Sequence, residues 1–383
     1  MIKEVLFDEL DKLEQKYIDV WENFCNIESP SNFKEGVDKA GKYIAEIAET
    51  LGFKVEIFEQ KTSGNVVCIT MNDKSVETPI ALSGHIDTVH PVGSYGSPVV
   101  RIDEEKIYGP GVTDCKGGIV SSLYAMEALK NTGYITRPIM LLLQSDEEVG
   151  SSLSNKETIK YICEKAKNAV AFLNMEGTKI PHICIERKGI VNFCFEIEGQ
   201  EAHSSQCATE GKNAILEASH KVVEIEKIKD AEGVTCCCST IKGGSALNTV
   251  PGKCEFNVNI RFATYAQYEE VKKKMQEIAD TSFVEGTKCR LTQKTFRTAM
   301  ELSDRNLNLY NKVNEIFEKW NLTRLELNKH NGGSDAADVS SCGIPCVDSL
   351  GTSGAGIHSP NEFGYLASLK ESAQRVGAII CEM

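Results

Sequence analysis

Residues 139–150, IMLLLQSDEEVG, run from an apolar segment of strand length directly into three acidic side chains. A continuous apolar run of this length is typical of a strand covered on both faces, as strands in parallel sheets are. At the buried end of such a strand, adjacent carboxylates repel one another unless a cation compensates their charge. The stretch therefore predicts a covered sheet with a cation site at one edge.

The segments around this stretch predict an α/β fold. Two further apolar runs, residues 66–70 and 79–83, have the composition of covered strands, and a helix is predicted over residues 117–130. Strands that alternate with helices indicate a mostly parallel sheet. In such sheets the functional groups lie on the loops that leave the carboxyl ends of the strands. We therefore expect the chemistry of this chain on the loops that follow these strands.

The sequence pattern changes near residue 189, where polar and apolar residues begin to alternate. The predicted elements that follow are strands at 190–198, 234–241, 253–262 and 288–296 and helices at 213–227 and 267–283. Their β-α-β-β-α-β order is a recognised small-domain motif of the ferredoxin-like type. We predict an inserted domain over residues 189–297 within a catalytic domain formed by residues 1–188 and 298–383.

Five short segments place His, Asp or Glu at the ends of predicted strands or on glycine-rich loops. The candidate residues are His85 and Asp87 in segment 83–91, Asp114 in 109–118, Glu147 and Glu148 in 145–148, Glu176 in 174–176, and His358 in 356–362. Imidazole and carboxylate groups form a ligand set suited to zinc, cobalt or manganese. Because one ion would not need so many carboxylates, the set predicts two divalent metal ions.

The glycine-rich segment 109–118 also allows a second interpretation, a phosphate-binding loop. That motif requires Gly-Lys followed by Ser or Thr, whereas Lys116 follows Cys115 in this chain. Three consecutive cysteines at 236–238 could suggest a zinc knuckle, but neighbouring side chains on a strand point to opposite faces. The sequence therefore favours neither a nucleotide site nor a cysteine-ligated metal.

Composition narrows the classes of partner. The 383 residues include 42 Lys and Arg against 55 Asp and Glu, a formal net charge of −13. No cluster of basic residues stands out, so we expect no nucleic-acid partner and no anionic-membrane anchor. No apolar run reaches the length of a membrane span, and acidic residues interrupt the amino-terminal segment, unlike a secretory signal. We expect a cytoplasmic protein whose 15 cysteines are mostly reduced.

Taken together, the five segments and the insert resemble the co-catalytic zinc exopeptidases and deacylases. This family includes glutamate carboxypeptidase, aminoacylase, acetylornithine deacetylase and succinyl-diaminopimelate desuccinylase, and the resemblance covers nearly the whole chain. It implies that two metals share Asp114, that His85 and Glu176 complete one site, and that Glu148 and His358 complete the other. It also implies that Glu147 is the general base, that Asp87 orients His85, and that the Asp114–Cys115 peptide is cis.

The resemblance assigns residues of the insert to substrate binding. The segment GQEAHSS, 199–205, is similar to the family segment whose histidine binds the substrate carbonyl, here His203. Asn248 and Arg261 match positions that hold the substrate or its carboxylate in relatives, and an Arg suits a carboxylate because its planar fork donates two hydrogen bonds. Gly333 lies in a segment that resembles a glycine-rich loop beside the metals. The insert is expected to act as a lid and as the surface of a homodimer.

These features predict one activity and leave two alternatives open. We expect a dizinc hydrolase that removes a carboxyl-terminal amino acid or an acyl group from a small peptide or N-acyl amino acid. Glu176 and the segment ERKGI, 186–190, resemble the glutamate carboxypeptidase branch more than the aminopeptidases. The alternatives are an aminotripeptidase or dipeptidase of the same family, and a catalytically silent member that binds metal or peptide.

Overall fold

The computed structural model describes residues 2–230, 233–330 and 332–383. The chain divides into two compact units. Unit 1 comprises Met1–Ile185, Leu302–Lys329 and Ser334–Met383, and unit 2 comprises Glu186–Glu301 and His330–Gly333. Each unit has its own cluster of buried apolar side chains.

Unit 2 extends beyond the insert predicted over residues 189–297. Its ends are joined through the backbone, because Arg187 and Met300 exchange two N–H···O hydrogen bonds of 2.9 and 3.0 Å. The amide of Lys188 also donates to the carbonyl of His330 at 3.3 Å, which brings a short distant segment into the same unit. Such pairings between distant segments are not visible in a local sequence pattern. The proposed lid and dimer roles of the insert stay predictions.

Helices and strands alternate along much of the described chain. The helices are α1 Ile2–Cys25, α2 Lys34–Thr50, α3 Lys116–Asn131, α4 Glu157–Ala166, α5 Ala214–Glu226, α6 Tyr265–Asp280, α7 Asp304–Lys319, α8 Asp335–Ser341 and α9 Leu366–Glu382. The strands are β1 Lys54–Phe58, β2 Val66–Met71, β3 Ile80–His85, β4 Arg101–Ile102, β5 Lys106–Tyr108, β6 Ile139–Gln144, β7 Ala171–Asn174, β8 His182–Ile183, β9 Gly189–Glu198, β10 Thr235–Gly243, β11 Lys253–Phe262, β12 Lys288–Arg297, β13 Glu326–Leu327, β14 Cys346–Val347, β15 Gly354–Ala355 and β16 Phe363–Tyr365.

The main sheet of unit 1 has the order β1-β2-β6-β3-β7-β14. Strands β6, β3, β7 and β14 are parallel, whereas β1 and β2 pair antiparallel at one side. All residues of β3, β6 and β7 are buried, which explains why these strands are continuous apolar runs. Because β3, β6 and β7 are parallel neighbours, the loops that follow them leave the same edge of the sheet.

A helix and a second small sheet complete the frame of unit 1. Helix α3 is buried along nearly its whole length, from Lys116 to Leu129, and packs against both α1 and α9. Its second glycine, Gly118, is required by packing, because a Cβ there would collide with the carbonyl oxygen of Met175. Four short antiparallel strands, in the order β15-β16-β5-β4, bring the chain before α3 beside the chain before α9.

Unit 2 is a four-stranded antiparallel sheet with two helices. The strand order β10-β11-β9-β12 and the sequence order β9-α5-β10-β11-α6-β12 match the predicted β-α-β-β-α-β motif. Burial alternates along β9 and β11, so one face of the sheet carries the apolar core. The rings of Phe195 and Phe256 stack in that core with centroids 4.7 Å apart.

A buried lysine with an ion-pair partner joins the two helices of unit 2. Lys221 on α5 lies 3.0 Å from Glu217, and both side chains are almost fully buried. The Lys221 ammonium also donates to the carbonyls of Ile278 and Ala279 near the end of α6. The other Glu217 oxygen accepts the amide of Phe283 at 2.9 Å. Each charged group therefore has several partners in the folded state.

Replacing Lys221 with methionine is expected to destabilise the protein by about 3–5 kcal/mol, because it leaves the Glu217 carboxylate buried without its cation. Urea unfolding followed by circular dichroism measures the loss. The control is Lys227→Met, since the Lys227–Glu224 ion pair is largely exposed and should contribute little. Equal stability of K221M and wild type would contradict this account of the helix pair.

None of the helices in the described residues combines the length and the apolar character that crossing a lipid bilayer requires.

Candidate functional site

His85 is the last residue of β3 and is fixed by its own loop. Its side chain is 2% exposed, and its Nδ1 lies 2.9 Å from the carbonyl oxygen of Asp87. The Nε2 atom lies 3.1 Å from Oδ1 of Asp114 and 3.8 Å from Oε1 of Glu176. Because Nδ1 is engaged by the loop, Nε2 is the nitrogen available to a ligand or metal.

Asp114 lies in the segment between β5 and α3, and its peptide bond with Cys115 is cis, as the resemblance implied. Its two carboxylate oxygens face different histidines. Oδ1 lies 3.1 Å from Nε2 of His85, and Oδ2 lies 3.1 Å from Nε2 of His358. The side chain is largely buried, at 12% exposure. This carboxylate therefore stands between two imidazoles, with one oxygen directed to each.

His358 and Glu148 form the other side of the cluster. His358 lies on the loop between β15 and β16 and adopts a left-handed φ of 60°. Its Nε2 lies 3.2 Å from Oε2 of Glu148, the fourth residue after β6. Glu176 follows β7 by two residues. The predicted ligands thus come from loops after three parallel strands and from two segments that the small sheet holds together.

The donor set of this cluster fits divalent ions. Ligand atoms of His85, Asp114 and Glu148 all lie within 4.8 Å of one another. Imidazole nitrogens and carboxylate oxygens are the ligands that zinc and related ions accept. Cys115 also lies near His85 and Glu176. Its buried thiol has a pKa raised well above the ordinary value, and its sulfur accepts the His85 amide at 2.9 Å.

The crowding of carboxylates changes the protonation of the metal-free site. Burial raises the pKa of Glu148 to about 7 and that of Glu176 well above its ordinary value. Burial acts in the same direction on Asp114, but hydrogen bonds from His358 and His85 outweigh it and lower the Asp114 pKa. Hydrogen bonds to Asp114 and Glu148 raise the pKa of His358 to about 10. Without a metal, the site therefore holds protons at neutral pH.

Metal uptake near neutral pH is expected to release protons, since a coordinating His358 must be deprotonated and its pKa is about 10 in the metal-free protein. Below that pKa, a rise in pH removes the competing proton, so the apparent zinc affinity should increase with pH. Calorimetric zinc titrations in buffers of different ionisation enthalpy measure the protons released. Binding heats that are the same in every buffer would contradict the protonation described above.

Asp87 contacts other groups besides His85. It is fully buried, and its two carboxylate oxygens accept the backbone amides of Glu147 and Glu148, each at 3.1 Å. Its Oδ2 also accepts the hydroxyl of Ser31 at 2.7 Å. The Glu147 side chain is nearly buried, at 5% residue exposure. Asp87 therefore fixes the backbone that carries the predicted general base and one predicted ligand. No role for Ser31 was predicted from the sequence.

Lys116 has a structural environment that sequence reasoning missed. Its side chain is fully buried, and its ammonium donates to the carbonyls of Ile27 at 2.6 Å and Phe24 at 3.4 Å. Burial lowers its pKa to about 8. Because these carbonyls at the end of α1 occupy the ammonium, the arrangement also disfavours the phosphate-loop interpretation of this segment.

The predicted substrate residues lie in unit 2, at two ends of its sheet. His203 is exposed, and its Nδ1 lies 2.8 Å from the hydroxyl of Ser205. The segment of His203 pairs with that of Asn248, because the amide of Ser204 donates to the Asn248 carbonyl at 2.9 Å. Both segments lie outside β11, past its Lys253 end, whereas Arg261 lies near the opposite end of the strand.

A second arginine accompanies Arg261. Arg261 on β11 and Arg297 on β12 both pair with Ile190 of β9, so they flank one residue on one face of the sheet. Burial, and then the charge of Arg297, lower the pKa of Arg261. Gly333 lies against Arg297, because a Cβ at Gly333 would come within 2.9 Å of the arginine side chain. Arg297 was not among the predicted residues, since only the strand register reveals it.

A model of the peptidase family M20/M25/M40 matches residues 81–382, a span that contains every predicted site residue. The chain belongs to this family. The M20 assignment confirms the resemblance found in the sequence and establishes a metal-dependent hydrolase. Members of the M20 family bind divalent metal ions, most often zinc.

Curated M20 relatives include two with different named activities. Carboxypeptidase G2 from Pseudomonas sp. (strain RS-16) is 28% identical over 364 residues, which cover 93% of this chain and 86% of that protein. A succinyl-diaminopimelate desuccinylase from Rickettsia felis is 29% identical over 260 residues, which cover 63% of this chain and 68% of that protein. The relatives thus include both a carboxypeptidase and a desuccinylase.

Solved M20 structures share the fold. Aminopeptidase PepT from Bacillus cereus matches with a TM-score of 0.81 at 21% identity, covering 96% of this chain and 98% of that chain. The M20 metallo-carboxypeptidase Sso-CP2 from Sulfolobus solfataricus matches with a TM-score of 0.73 at 18% identity, covering 96% and 98%. These likenesses confirm the predicted α/β fold class.

Proposed function

We propose that this chain is a two-metal hydrolase that cleaves an amide bond in a small peptide or N-acyl amino acid, with a preference of the glutamate carboxypeptidase type. The observation that carries the proposal is the Asp114 carboxylate, whose two oxygens face two imidazoles at equal distances of 3.1 Å. A carboxylate shared in this way suits a pair of cations better than a single one.

Five side chains would hold the ions. Asp114 would be shared, His85 and Glu176 would complete one site, and Glu148 and His358 the other. Zinc is the expected metal, with cobalt or manganese as alternatives. When bound, such ions polarise a carbonyl and lower the pKa of water toward neutrality. Proton transfer and substrate binding are assigned to side chains of the protein.

Glu147 is the proposed general base. Its backbone is fixed by Asp87, and its side chain is nearly buried beside Glu148. The Glu147 carboxylate takes a proton from the attacking water as the water oxygen bonds to the amide carbon. The same proton then goes to the nitrogen as the carbon–nitrogen bond breaks, which yields a carboxylic acid and an amine. The acid loses its remaining proton to the amine or to solvent and becomes a carboxylate. Glu147 ends in its starting state.

The arginine pair supports a substrate with a carboxylate. Two guanidinium groups, Arg261 and Arg297, flank Ile190 on one face of the unit 2 sheet. Guanidinium groups bind carboxylates through paired, charge-assisted hydrogen bonds. An amino acid released from a carboxyl terminus, or deacylated at its nitrogen, carries this group. A substrate selected by its free amino group would need acidic partners instead.

Replacing Arg297 with alanine is expected to lower kcat/KM for a substrate with a free α-carboxylate by roughly 10–150-fold, the value of about 1.5–3 kcal/mol for hydrogen bonds to a charged group. Substrates with an amidated carboxyl terminus should lose much less. The matched control is Arg290→Ala, which removes an exposed arginine of the same strand. Equal losses on free and amidated substrates would contradict a role in carboxylate binding.

The length of the unit 2 sheet supports a homodimer. From Lys253 to Arg261, β11 spans roughly 26 Å at about 3.3 Å per residue, and His203 and Asn248 lie beyond its Lys253 end. A small substrate cannot touch both ends of this strand. We infer a homodimer in which His203 and Asn248 come from one copy and Arg261 from the other. Gly333, beside Arg297, belongs with the Arg261 group.

Two measurements test the proposal as a whole. Elemental analysis should find about two equivalents of metal per chain, as expected for a two-metal hydrolase. A panel of N-acyl amino acids, dipeptides and tripeptides should show cleavage of N-blocked substrates with a free carboxylate. Strict dependence on a free amino group would instead identify the aminotripeptidase or dipeptidase alternative. A metal-loaded protein that cleaves nothing would identify the silent alternative. The cytoplasmic location stays a prediction.

A further inference from the structure

Glu362 is a buried carboxylate that the proposed chemistry does not use. It follows His358 by four residues and is 1% exposed. Its oxygens are surrounded by donors from distant parts of the chain. Oε1 accepts the backbone amides of Thr113 at 2.9 Å and Asp114 at 3.0 Å. Oε2 accepts the amide of Gly111 at 3.1 Å.

The segment that Glu362 contacts has little regular structure of its own. Residues 109–115 lie between β5 and α3, so their amides lack the partners that a helix or strand provides. A buried amide without a partner destabilises the fold, which makes the acceptor essential. Glu362 provides one acceptor group for three of these amides. One of them belongs to Asp114, the carboxylate that stands between the two imidazoles.

Glu362 also reaches the loop that follows His85. Nε2 of His90 lies 3.3 Å from Oε2 of Glu362 and 3.3 Å from the hydroxyl of Tyr95. That hydroxyl donates to the carbonyl of Ser359 at 2.8 Å, next to His358. One carboxylate is therefore connected to the loops of three predicted ligands.

Asp87 gives an internal comparison. It accepts the amides of Glu147 and Glu148, as Glu362 accepts those of Thr113 and Asp114. Both carboxylates are buried and hold backbone rather than substrate. Each half of the cluster is thus supported by a buried carboxylate that accepts backbone amides. The two carboxylates come from different segments of the chain.

We propose that Glu362 is a positioning residue that sets the geometry of the metal pair through the backbone of Asp114. The inference rests on the proposed function, since it concerns the same site. A glutamine at this position has one acceptor oxygen, so its amide group must face either the Gly111 amide or those of Thr113 and Asp114. The resulting contact between donors displaces the segment that carries Asp114. Residues that support metal ligands in this way typically change metal affinity by roughly 10–100-fold.

The test compares Glu362→Gln with Glu127→Gln in metal-free protein titrated with Zn²⁺. Glu127 is a matched control, because it is also a buried carboxylate of unit 1 and is bound to Tyr17 and Lys16 at a different place. Competition with a chelating dye gives the zinc affinity. Thermal unfolding with and without zinc gives the stabilisation that zinc provides, which depends on that affinity. The visible spectrum of the Co²⁺ form reports the ligand geometry.

We expect E362Q to bind zinc roughly 10–100-fold more weakly, to gain less thermal stability from zinc, and to show an altered Co²⁺ spectrum. E127Q should unfold at a lower temperature in both states but keep the zinc affinity and spectrum of wild type. If E362Q does not fold, Glu362→Asp, which keeps the charge but is shorter by one methylene, undergoes the same test.

Two results would overturn the inference alone. In the first, the folded Glu362 variant keeps the zinc affinity and Co²⁺ spectrum of wild type. In the second, E127Q loses as much zinc affinity as the Glu362 variant, which would mean that any buried carboxylate of unit 1 has this effect. A wild-type protein that does not bind zinc or cobalt would instead overturn the proposed function, and the inference with it.

Discussion

Replacing Glu147 with glutamine is expected to reduce kcat by roughly 10²–10⁴-fold, the usual contribution of a general base, while metal content stays at the wild-type level. Glutamine has nearly the shape of glutamate but cannot accept the proton of the attacking water. Its backbone amide would still donate to Asp87, so the loop should keep its position. Elemental analysis and steady-state kinetics on the same preparation separate the two effects.

The control for this experiment is Glu104→Gln, which makes the same change at an exposed position of unit 1. That variant should keep both its metal and its rate. If E147Q retains the wild-type kcat, Glu147 is not the base. If it loses metal together with activity, its carboxylate acts as a ligand and the assignment of Glu148 must be revised.

Asp114→Asn is expected to abolish metal binding at both sites and therefore all measurable hydrolysis. The two carboxylate oxygens of Asp114 face His85 and His358 separately, so in the proposed site one side chain would serve both positions. An asparagine keeps the volume but offers one neutral oxygen and an amide group that cannot coordinate a cation. Metal content should fall from about two equivalents per chain toward zero. Inductively coupled plasma analysis after dialysis measures the loss.

The comparison variant is His358→Ala, which removes a group on one side only. It should lose one ion and keep the other, which His85 and Glu176 would hold. If D114N retains one tightly bound ion, Asp114 belongs to a single site. The central step of the proposed function would then need another shared ligand.

The sequence was sufficient to predict which residues come together where they follow buried strands. Strands β3, β6 and β7 are covered on both faces, so each is a continuous apolar run that ends abruptly in polar residues. His85, Glu148 and Glu176 occur at or just after those ends. Because the strands are parallel neighbours, their ends meet in space, and the resulting cluster could be predicted without coordinates.

Supporting residues were missed because their roles depend on distant partners. Glu362 contacts amides about 250 positions earlier in the chain, and Ser31 contacts Asp87 from the linker between α1 and α2. A serine or glutamate in a loop has no local pattern that reveals such a partner. Arg297 was missed for a related reason, since its neighbour Arg261 lies on a strand two positions away in the sheet.

Some elements also differed from expectation. Strand β2 was predicted among the covered strands of a mostly parallel sheet, but it pairs antiparallel with both neighbours. Covered strands look alike in sequence whatever their direction, so the pattern could not distinguish the two. Helices α4 and α8 were not predicted. Helix α8 comprises only Asp335–Ser341, too short to show a helical repeat.

The two imidazoles differ greatly in their access to water. The side chain of His358 is 56% exposed, whereas that of His85 is 2% exposed. Chelators and incoming ions arrive from solvent, so the outer position should fill and empty sooner than the inner one. Mild chelation of the proposed two-metal protein would then first leave a half-loaded form, with its remaining ion beside His85. The apparent activity of a preparation would follow the free metal concentration of its last buffer.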